Sequence, residues 1–318
     1  MRKLFLLASL LFSTLIWAQS YPTRPVKVIV PWPPGQATDI AARMLAQRLQ
    51  ETMGQAFIID NRAGAGGSLG TEIAARAPAD GYTLLAASSG PISIMPSLQK
   101  LSYEPLKDFV LVGLVSRNPY ALVVAPSFPA SNAKEFIALL RVSPDKYTFS
   151  SSGTGATAHL ITELFNSMAQ IKARHIPYKG SAPALTDVMN GQVNYTVETV
   201  AATVGHIRSG RLKTFGVTTA RRAGGMPDVP TLADVADLKE LDVGAWIGYA
   251  APAATPRDVV TRLAAEIHKV LQAGELKDRL MNAGLDPAPM ALEELPAFMR
   301  REQERYAQVI KNANITMD

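Results

Sequence analysis

Short runs of β-branched residues alternate with amphipathic segments along the chain after residue 24. Val26–Val30 predicts a strand, and residues 39–53 place their apolar side chains on one face of a helix. The pattern continues with a strand at 57–59, a short helix at 68–76 and a strand at 82–87. Such alternation is typical of βαβ units and a mostly parallel sheet.

A second series of the same kind begins after Pro126. Between the two series, residues 109–115 and 120–124 predict two further strands. The predicted helices of the second series span 133–141, 157–168 and 182–189, and its predicted strands span 147–150, 174–177, 193–197 and 215–218. The remainder is almost wholly helical, with predicted helices at 257–272, 275–283 and 292–313.

The two series predict two α/β domains. The chain has no Gly/Ser-rich or Pro-rich linker between them, so we expect the crossings to be short strands near 115–125 and 246–251. Two crossings beside a cleft would form a hinge.

The first 20 residues predict a signal peptide. Arg2 and Lys3 precede an apolar run from Leu4 to Trp17, and small residues follow, so we expect cleavage before Tyr21. A membrane anchor is the alternative, but the run is shorter than the roughly 20 residues that span a bilayer. The prediction is therefore a soluble, exported protein.

Composition narrows the possible function. The absence of cysteine excludes disulfides, thiolate metal sites and a lipid anchor on cysteine. The net charge of +5 includes two positive charges of the leader, and no Lys/Arg run follows. Nothing in this pattern indicates a nucleic-acid surface.

The segment VPWPPGQATDIAAR, residues 30–43, joins the first strand to the first helix. Ligands of open parallel sheets lie at the carboxyl ends of strands, where helix N-termini attract anions. We expect the helix to begin near Thr38, with Gly35 permitting close backbone approach and the prolines restricting the loop. A rigid corner with Thr38 as N-cap is the alternative.

The segment YTFSSSGTGATAHL, residues 147–160, repeats this design in the second predicted domain. Its hydroxyls and exposed amides precede a helix, and it has no lysine, which excludes a GxxxxGK[ST] phosphate loop. An ordinary capped helix start is the alternative. The two corners together predict a site that binds both ends of a dianion, with one corner at each end.

Ser68, His159 and Glu198 are three further candidates for chemistry or ligand contact. Residues 66–70 match G-x-S-x-G around Ser68, but about six loop residues separate them from the preceding strand, which the hydrolase motif does not allow. His159 favours packing or capping over catalysis, and no His cluster has metal-ligand spacing. Glu198 follows the predicted strand 193–197, facing either ligand or solvent.

Several long motifs resemble one family over essentially the whole chain after the leader. They are VPWPPGQATDIAAR, DNRAGAGGSLGTEIAARAPADGYTLL, SYEPLKDF, HIPYKGSAPALTDVMNGQV and MPDVPTLAD. They resemble the Bug family, the TctC-like periplasmic receptors of tripartite tricarboxylate transporters. The resemblance implies a receptor rather than an enzyme, without cofactor or metal, monomeric, and delivering a small carboxylate to inner-membrane transporter subunits.

The fold implied by the resemblance is α/β, a two-domain periplasmic-binding-protein fold of type II-like topology with the ligand cleft between domains. Residues 21–122 with 248–318 would form domain I, and residues 123–247 domain II. The expected ligand-binding residues are Trp32, Pro33, Gly35, Gln36, Ala37, Thr38, Asp39, Ser88, Ser152, Gly153, Thr154, Gly155, Ala156, Thr157, His159, Tyr178 and Glu198.

The sequence departs from the family pattern at Gln36, where the family usually has a second glycine, and at Trp32, where it often has Phe. Gln36 is thus the first candidate for an altered ligand preference. A Glu198 that faces inward would favour a ligand with an ammonium or hydroxyl group. A secreted serine hydrolase using Ser68, or a sensor partner of a two-component system without transport, are the alternative functions.

Overall fold

The computed structural model describes residues 21–312. The predicted signal peptide, residues 1–20, lies outside these described residues. Within them, no helix combines the length and the apolar character needed to cross a membrane.

Ten strands and eleven α-helices alternate along the described chain. The strands are β1 Val26–Val30, β2 Phe57–Asn61, β3 Thr83–Ser88, β4 Phe109–Val124, β5 Thr148–Ser151, β6 Arg174–Pro177, β7 Tyr195–Thr199, β8 Lys213–Val217, β9 Gly244–Pro252 and β10 Asp286–Pro287. The helices are α1 Ala37–Met53, α2 Ser68–Ala75, α3 Pro105–Asp108, α4 Ala133–Arg141, α5 Thr157–Met168, α6 Ser181–Met189, α7 Val200–Arg208, α8 Leu232–Val235, α9 Arg257–Gln272, α10 Gly274–Asn282 and α11 Leu295–Asn312.

The sheet has a parallel part at each end and an antiparallel centre. Its main strand order is β2-β1-β3-β9-β4-β7-β5-β6, and β8 and β10 both pair with β4. β1 runs parallel to β2 and β3, and β5 runs parallel to β6 and β7. β4 and β9 run antiparallel to all their neighbours. We call β1–β3 with their helices the first lobe and β5–β8 with theirs the second lobe.

β4 and β9 are the two crossings between the lobes. The first half of β4 pairs with β9, and its second half pairs with β7 and β8. The prediction of two strands at 109–115 and 120–124 was wrong, because Ser116–Pro119 stays paired with β9 and the strand continues for 16 residues. The predicted domain boundaries after residues 122 and 247 fall inside β4 and β9, and they stay a prediction.

Helix α1 begins at Ala37, one to two residues before the predicted start near Thr38 and Asp39. Gln36 occupies the N-cap position with extended backbone, so Thr38 lies in the first turn and is not the cap. The reason is the Asp39 carboxylate, which accepts the backbone N–H of Gly35 at 2.9 Å and stabilises the turn before the helix. Gly35 has φ +84°, a value that favours glycine.

Two parts of the second lobe differ from the sequence prediction. Helix α7 was missed, because its segment contains Gly205 and β-branched residues that weaken the helical pattern. Strand β7 lies two residues later than predicted, so Glu198 is inside the strand rather than after it. The helical turns over residues 90–97 were also missed.

Candidate functional site

A cleft lies where the first turns of α1 and α5 face the crossing strands β4 and β9. Its unfilled space measures about 390 Å³, including the open mouth. It is lined by Trp32, Gln36, Ala37, Thr38, Ser88, Ser89, Asn118, Tyr120, Ser152, Thr157, Ala158, Glu198, Thr199, Ala245, Trp246 and Ile247. The site therefore draws on both lobes and on both crossing strands.

The first corner is held in shape by Asp39. Its carboxylate accepts hydrogen bonds from Gly35 N–H, from Asn61 Nδ2 at 2.9 Å and from Arg43 Nε at 3.0 Å. Burial opposes ionisation of this carboxyl, but the hydrogen bonds from Arg43, Gly35 and Asn61 outweigh it and lower the pKa of Asp39. Asn61 also donates to Trp32 O at 2.9 Å. Asp39 therefore positions the loop and does not line the cleft.

Trp32 is anchored at the other end of this loop. Its indole Nε1 donates to Ser88 Oγ at 2.9 Å, and the ring is buried. Ser88 is the last residue of β3, so the carboxyl ends of β1 and β3 meet here. Because Ser88 Oγ accepts from the indole, its hydroxyl proton is available to donate into the cleft.

Three side-chain amide atoms in the cleft have no hydrogen-bond partner within the described chain. Gln36 Nε2 and both amide atoms of Asn118 are buried without a hydrogen bond. A buried polar group without a partner costs about 1–3 kcal/mol. Such a cost is expected where a ligand supplies the missing partner.

The second corner brings only part of its predicted residues to the cleft. Thr157, the first residue of α5, and Ser152 line it, whereas Thr154 is exposed and does not. Ala156 is the N-cap of α5, and Gly155 N–H donates to His159 Nδ1 at 3.3 Å.

His159 belongs to an aromatic stack beneath this corner. Its ring stacks on His175 with centroids 3.9 Å apart, and His175 stacks on Phe149 at 4.9 Å. His175 Nε2 lies 2.7 Å from Ser151 Oγ. Burial lowers the pKa of His159 to about 4, and burial together with His159 lowers the pKa of His175 to about 3. Both rings are neutral at pH 7 and support the loop.

This stack predicts loss of stability in mild acid. An unfolded histidine binds protons below about pH 6.5 but His159 does not until about pH 4, so unfolding takes up a proton between these values. The free energy of unfolding should fall by about 2 kcal/mol between pH 7 and pH 5 through His159 alone. Urea titrations at pH 7 and pH 5 measure this change in the free energy of unfolding. The change should be smaller in the variant His159→Gln. An identical pH dependence in the variant would contradict this role.

Glu198 faces the cleft from β7. Its Oε2 accepts Ser181 Oγ–H at 2.9 Å, and its Oε1 accepts the backbone N–H of Thr199 at 2.7 Å. The residue is 3% exposed. Burial raises the pKa of Glu198, and the bonds from Thr199 and Ser181 act against this rise.

The structure brings about half of the predicted site residues together. Those at the cleft are Trp32, Gln36, Ala37, Thr38, Ser88, Ser152, Thr157 and Glu198. Those outside its lining are Pro33, Gly35, Asp39, Gly153, Thr154, Gly155, Ala156, His159 and Tyr178. Tyr178 instead donates its hydroxyl to Asp187.

Sequence reasoning missed the cleft residues of the crossing strands. Asn118 and Tyr120 come from β4, and Ala245, Trp246 and Ile247 come from β9. A polar residue within an apolar strand was the available signal for Asn118. Ser89, Ala158 and Thr199 each adjoin a predicted site residue.

Ser68 does not form a hydrolase site. Its hydroxyl lies 3.5 Å from the Tyr103 hydroxyl, which donates to Pro91 O at 2.9 Å, and no histidine between residues 21 and 312 hydrogen-bonds to Ser68. The same part of the chain contains no group of three His, Cys, Asp or Glu residues suited to a metal ion.

Comparison with known proteins agrees with this geometry. The family model described as "Tripartite tricarboxylate transporter family receptor" matches residues 41–315. Protein BugT of Bordetella pertussis is 36% identical over 299 residues, which cover 92% of this chain and 90% of BugT.

Solved structures with similar folds include two carboxylate complexes. One is a Rhodopseudomonas palustris protein with adipate, 33% identical, TM-score 0.89, covering 93% of this chain and 99% of that one. Another is MatC from Rhodopseudomonas palustris with bound malate, 31% identical, TM-score 0.85, covering 91% of this chain and 100% of MatC. They confirm the two-domain α/β fold. The chain therefore belongs to the tripartite tricarboxylate transporter receptor family, the Bug and TctC-like periplasmic solute-binding receptors, and it is not an enzyme.

Proposed function

We propose that this protein captures a small carboxylate in the cleft between its lobes. The observation that carries the proposal is the pair of buried, unpaired amide donors, Gln36 Nε2 and Asn118 Nδ2, on the cleft wall. A carboxylate accepts hydrogen bonds with both oxygens and would satisfy these donors.

The two helix N-termini support the same ligand class. The first residues of α1 and α5 line the cleft, and helix N-termini carry unpaired N–H groups and partial positive charge. No lysine or arginine is among the lining residues, so amides, hydroxyls and helix ends would stabilise the anion. The adipate and malate complexes of the two similar proteins support a carboxylate here.

Closure would occur by rotation of the lobes about β4 and β9, with residues 21–122 and 248–318 moving against residues 123–247. Residues at the rim of the cleft allow the two lobes to approach each other closely. A Cβ placed on Gly180 would lie 3.3 Å from Pro33 Cγ, and one on Gly66 would lie 3.4 Å from Gly155 O. Glycines at these points let the lobes meet with little intervening bulk.

A thermal-shift screen tests the ligand class. Protein that has been unfolded and refolded, to remove bound ligand, is screened against mono-, di- and aromatic carboxylates and their amides. Since a ligand of the native state raises the melting temperature, at least one acid should stabilise the protein while its amide does not. Equal shifts for acid and amide, or no shift with any acid, would contradict the proposal.

Thr38→Ala and Thr154→Ala form a matched pair. Thr38 is buried at the cleft, whereas Thr154 is exposed outside it. Removing the Thr38 hydroxyl should weaken binding of the best acid by about 1–3 kcal/mol, and Thr154→Ala should leave it unchanged. Calorimetry measures both affinities, and equal losses in the two variants would refute the assignment of Thr38.

Delivery to a membrane transporter completes the proposed function. Export by residues 1–20 would place a monomeric receptor in the periplasm, where inner-membrane subunits would accept the ligand. Uptake of the labelled acid should fall when the receptor is deleted and return when it is restored. Unchanged uptake would instead favour a sensing role.

A further inference from the structure

The cleft presents hydrogen-bond acceptors as well as donors. The Glu198 carboxylate is buried in its wall, and the donors that reach it within residues 21–312 are neutral, among them Ser181 Oγ–H and the Thr199 N–H. Asn118 Oδ1 is also buried, without any donor in the described chain. A ligand made only of carboxylates has no hydrogen to offer these oxygens.

The charges around Glu198 also favour a ligand that carries a hydrogen-bond donor. No ion pair involving Glu198 exists within residues 21–312, and the lining residues include no cation. A buried carboxylate without a partner of opposite charge is costly, which is why burial raises the pKa of Glu198. A ligand carboxylate beside Glu198 would add repulsion to the ionised form. A ligand hydroxyl would add a hydrogen bond, and a ligand ammonium would add a hydrogen bond and the missing positive charge.

We propose that this cleft selects carboxylates that also carry a hydroxyl or ammonium group, which donates to Glu198. The inference rests on the proposed carboxylate-binding function and narrows its ligand class. Unpaired Gln36 Nε2 and Asn118 Nδ2 would meet the carboxylate, while Glu198 and Asn118 Oδ1 would meet the ligand's own donor. Glu198 is thus a specificity-determining residue.

Acids that share a carbon skeleton but differ in one substituent test the proposed selection for a hydroxyl or ammonium group. Succinate, malate and aspartate differ only in hydrogen, hydroxyl or ammonium on one carbon, and glutarate, 2-hydroxyglutarate and glutamate form a second set. Calorimetry on refolded protein measures the affinity for each acid. Within the set whose chain length binds, the affinity for an acid with a hydroxyl or ammonium group should be about tenfold or more higher than that for the plain diacid. A higher affinity for the hydroxy acid would indicate recognition of a hydroxyl, and a higher affinity for the amino acid would indicate recognition of an ammonium.

The variant Glu198→Gln should reduce that preference about tenfold or more, most strongly for the ammonium acid, because the charge is lost. Glu163→Gln, on α5 and outside the cleft lining, is the matched control and should retain it. If Glu198→Gln fails to fold, the three-acid comparison on the unaltered protein decides alone.

A plain diacid that binds as tightly as its substituted partners would overturn this inference and leave the carboxylate receptor intact. A preference that survives in Glu198→Gln would overturn the role of Glu198. Absence of binding by every acid would contradict the proposed function, and this inference with it.

Discussion

Gly70→Ala is expected to destabilise the protein by about 2 kcal/mol. A Cβ on Gly70 would lie 2.6 Å from Arg62 O and 2.8 Å from Pro31 Cα, both backbone atoms that cannot move alone. Distances this short to backbone atoms place the overpacking cost at the upper end of its usual range, about 3 kcal/mol, and the gain of about 1 kcal/mol from replacing a helical glycine leaves a net loss of about 2 kcal/mol. Denaturant titration measures the loss. The same displacement of Pro31 would move the first corner, so affinity should fall as well.

Gly205→Ala is the control for this prediction. Gly205 is also inside a helix, α7, but a Cβ there has no heavy atom within 4 Å. The free energy of unfolding should therefore rise by about 0.5–1 kcal/mol, from helix propensity alone. If both variants change stability in the same direction, the close approach of α2 to the first corner is not what requires glycine at position 70.

Asn118→Leu is expected to weaken ligand binding while preserving or raising stability. The variant keeps a similar shape but removes two amide atoms that are buried without partners. Loss of a hydrogen bond to a charged ligand should cost about 1.5–3 kcal/mol, equivalent to an affinity loss of about 10- to 150-fold. Without ligand, removal of the unpaired atoms should leave the free energy of unfolding unchanged or higher by about 1 kcal/mol. Calorimetry and urea titration measure the two effects separately.

Asn166→Leu should give the opposite pattern. Asn166 is also buried, and its Nδ2 has no partner either, but its Oδ1 accepts the Tyr195 hydroxyl at 2.7 Å. It lies outside the cleft lining, and its removal would leave the buried Tyr195 hydroxyl without its acceptor. The variant should lose about 1–3 kcal/mol of stability and keep its affinity. Parallel behaviour of the two asparagine variants would mean that Asn118 is structural.

The local parts of the site could be predicted from the sequence. A strand, a stiff loop and a helix start are encoded by neighbouring residues, and the predicted corners at residues 30–43 and 147–160 both contribute to the cleft. Helices 133–141, 157–168 and 257–272 were predicted with their observed bounds, because their apolar periodicity is strong.

The long-range parts could not be predicted. Asn118 and Trp246 meet the two corners only because β4 and β9 pair at the centre of the sheet, and strand pairing is not visible in local periodicity. Asp39 was predicted to contact the ligand because it lies at the start of a helix. Its side chain turns back to Gly35, Arg43 and Asn61 instead, and those partners depend on tertiary structure.

A crystal structure with the acid that gives the largest thermal shift would show whether the cleft binds a carboxylate through its unpaired amides. We expect the acid inside the cleft, with its carboxylate oxygens within hydrogen-bond distance of Gln36 Nε2 and Asn118 Nδ2. An acid bound elsewhere, or bound in the cleft with both of these amides still unpaired, would contradict this expectation.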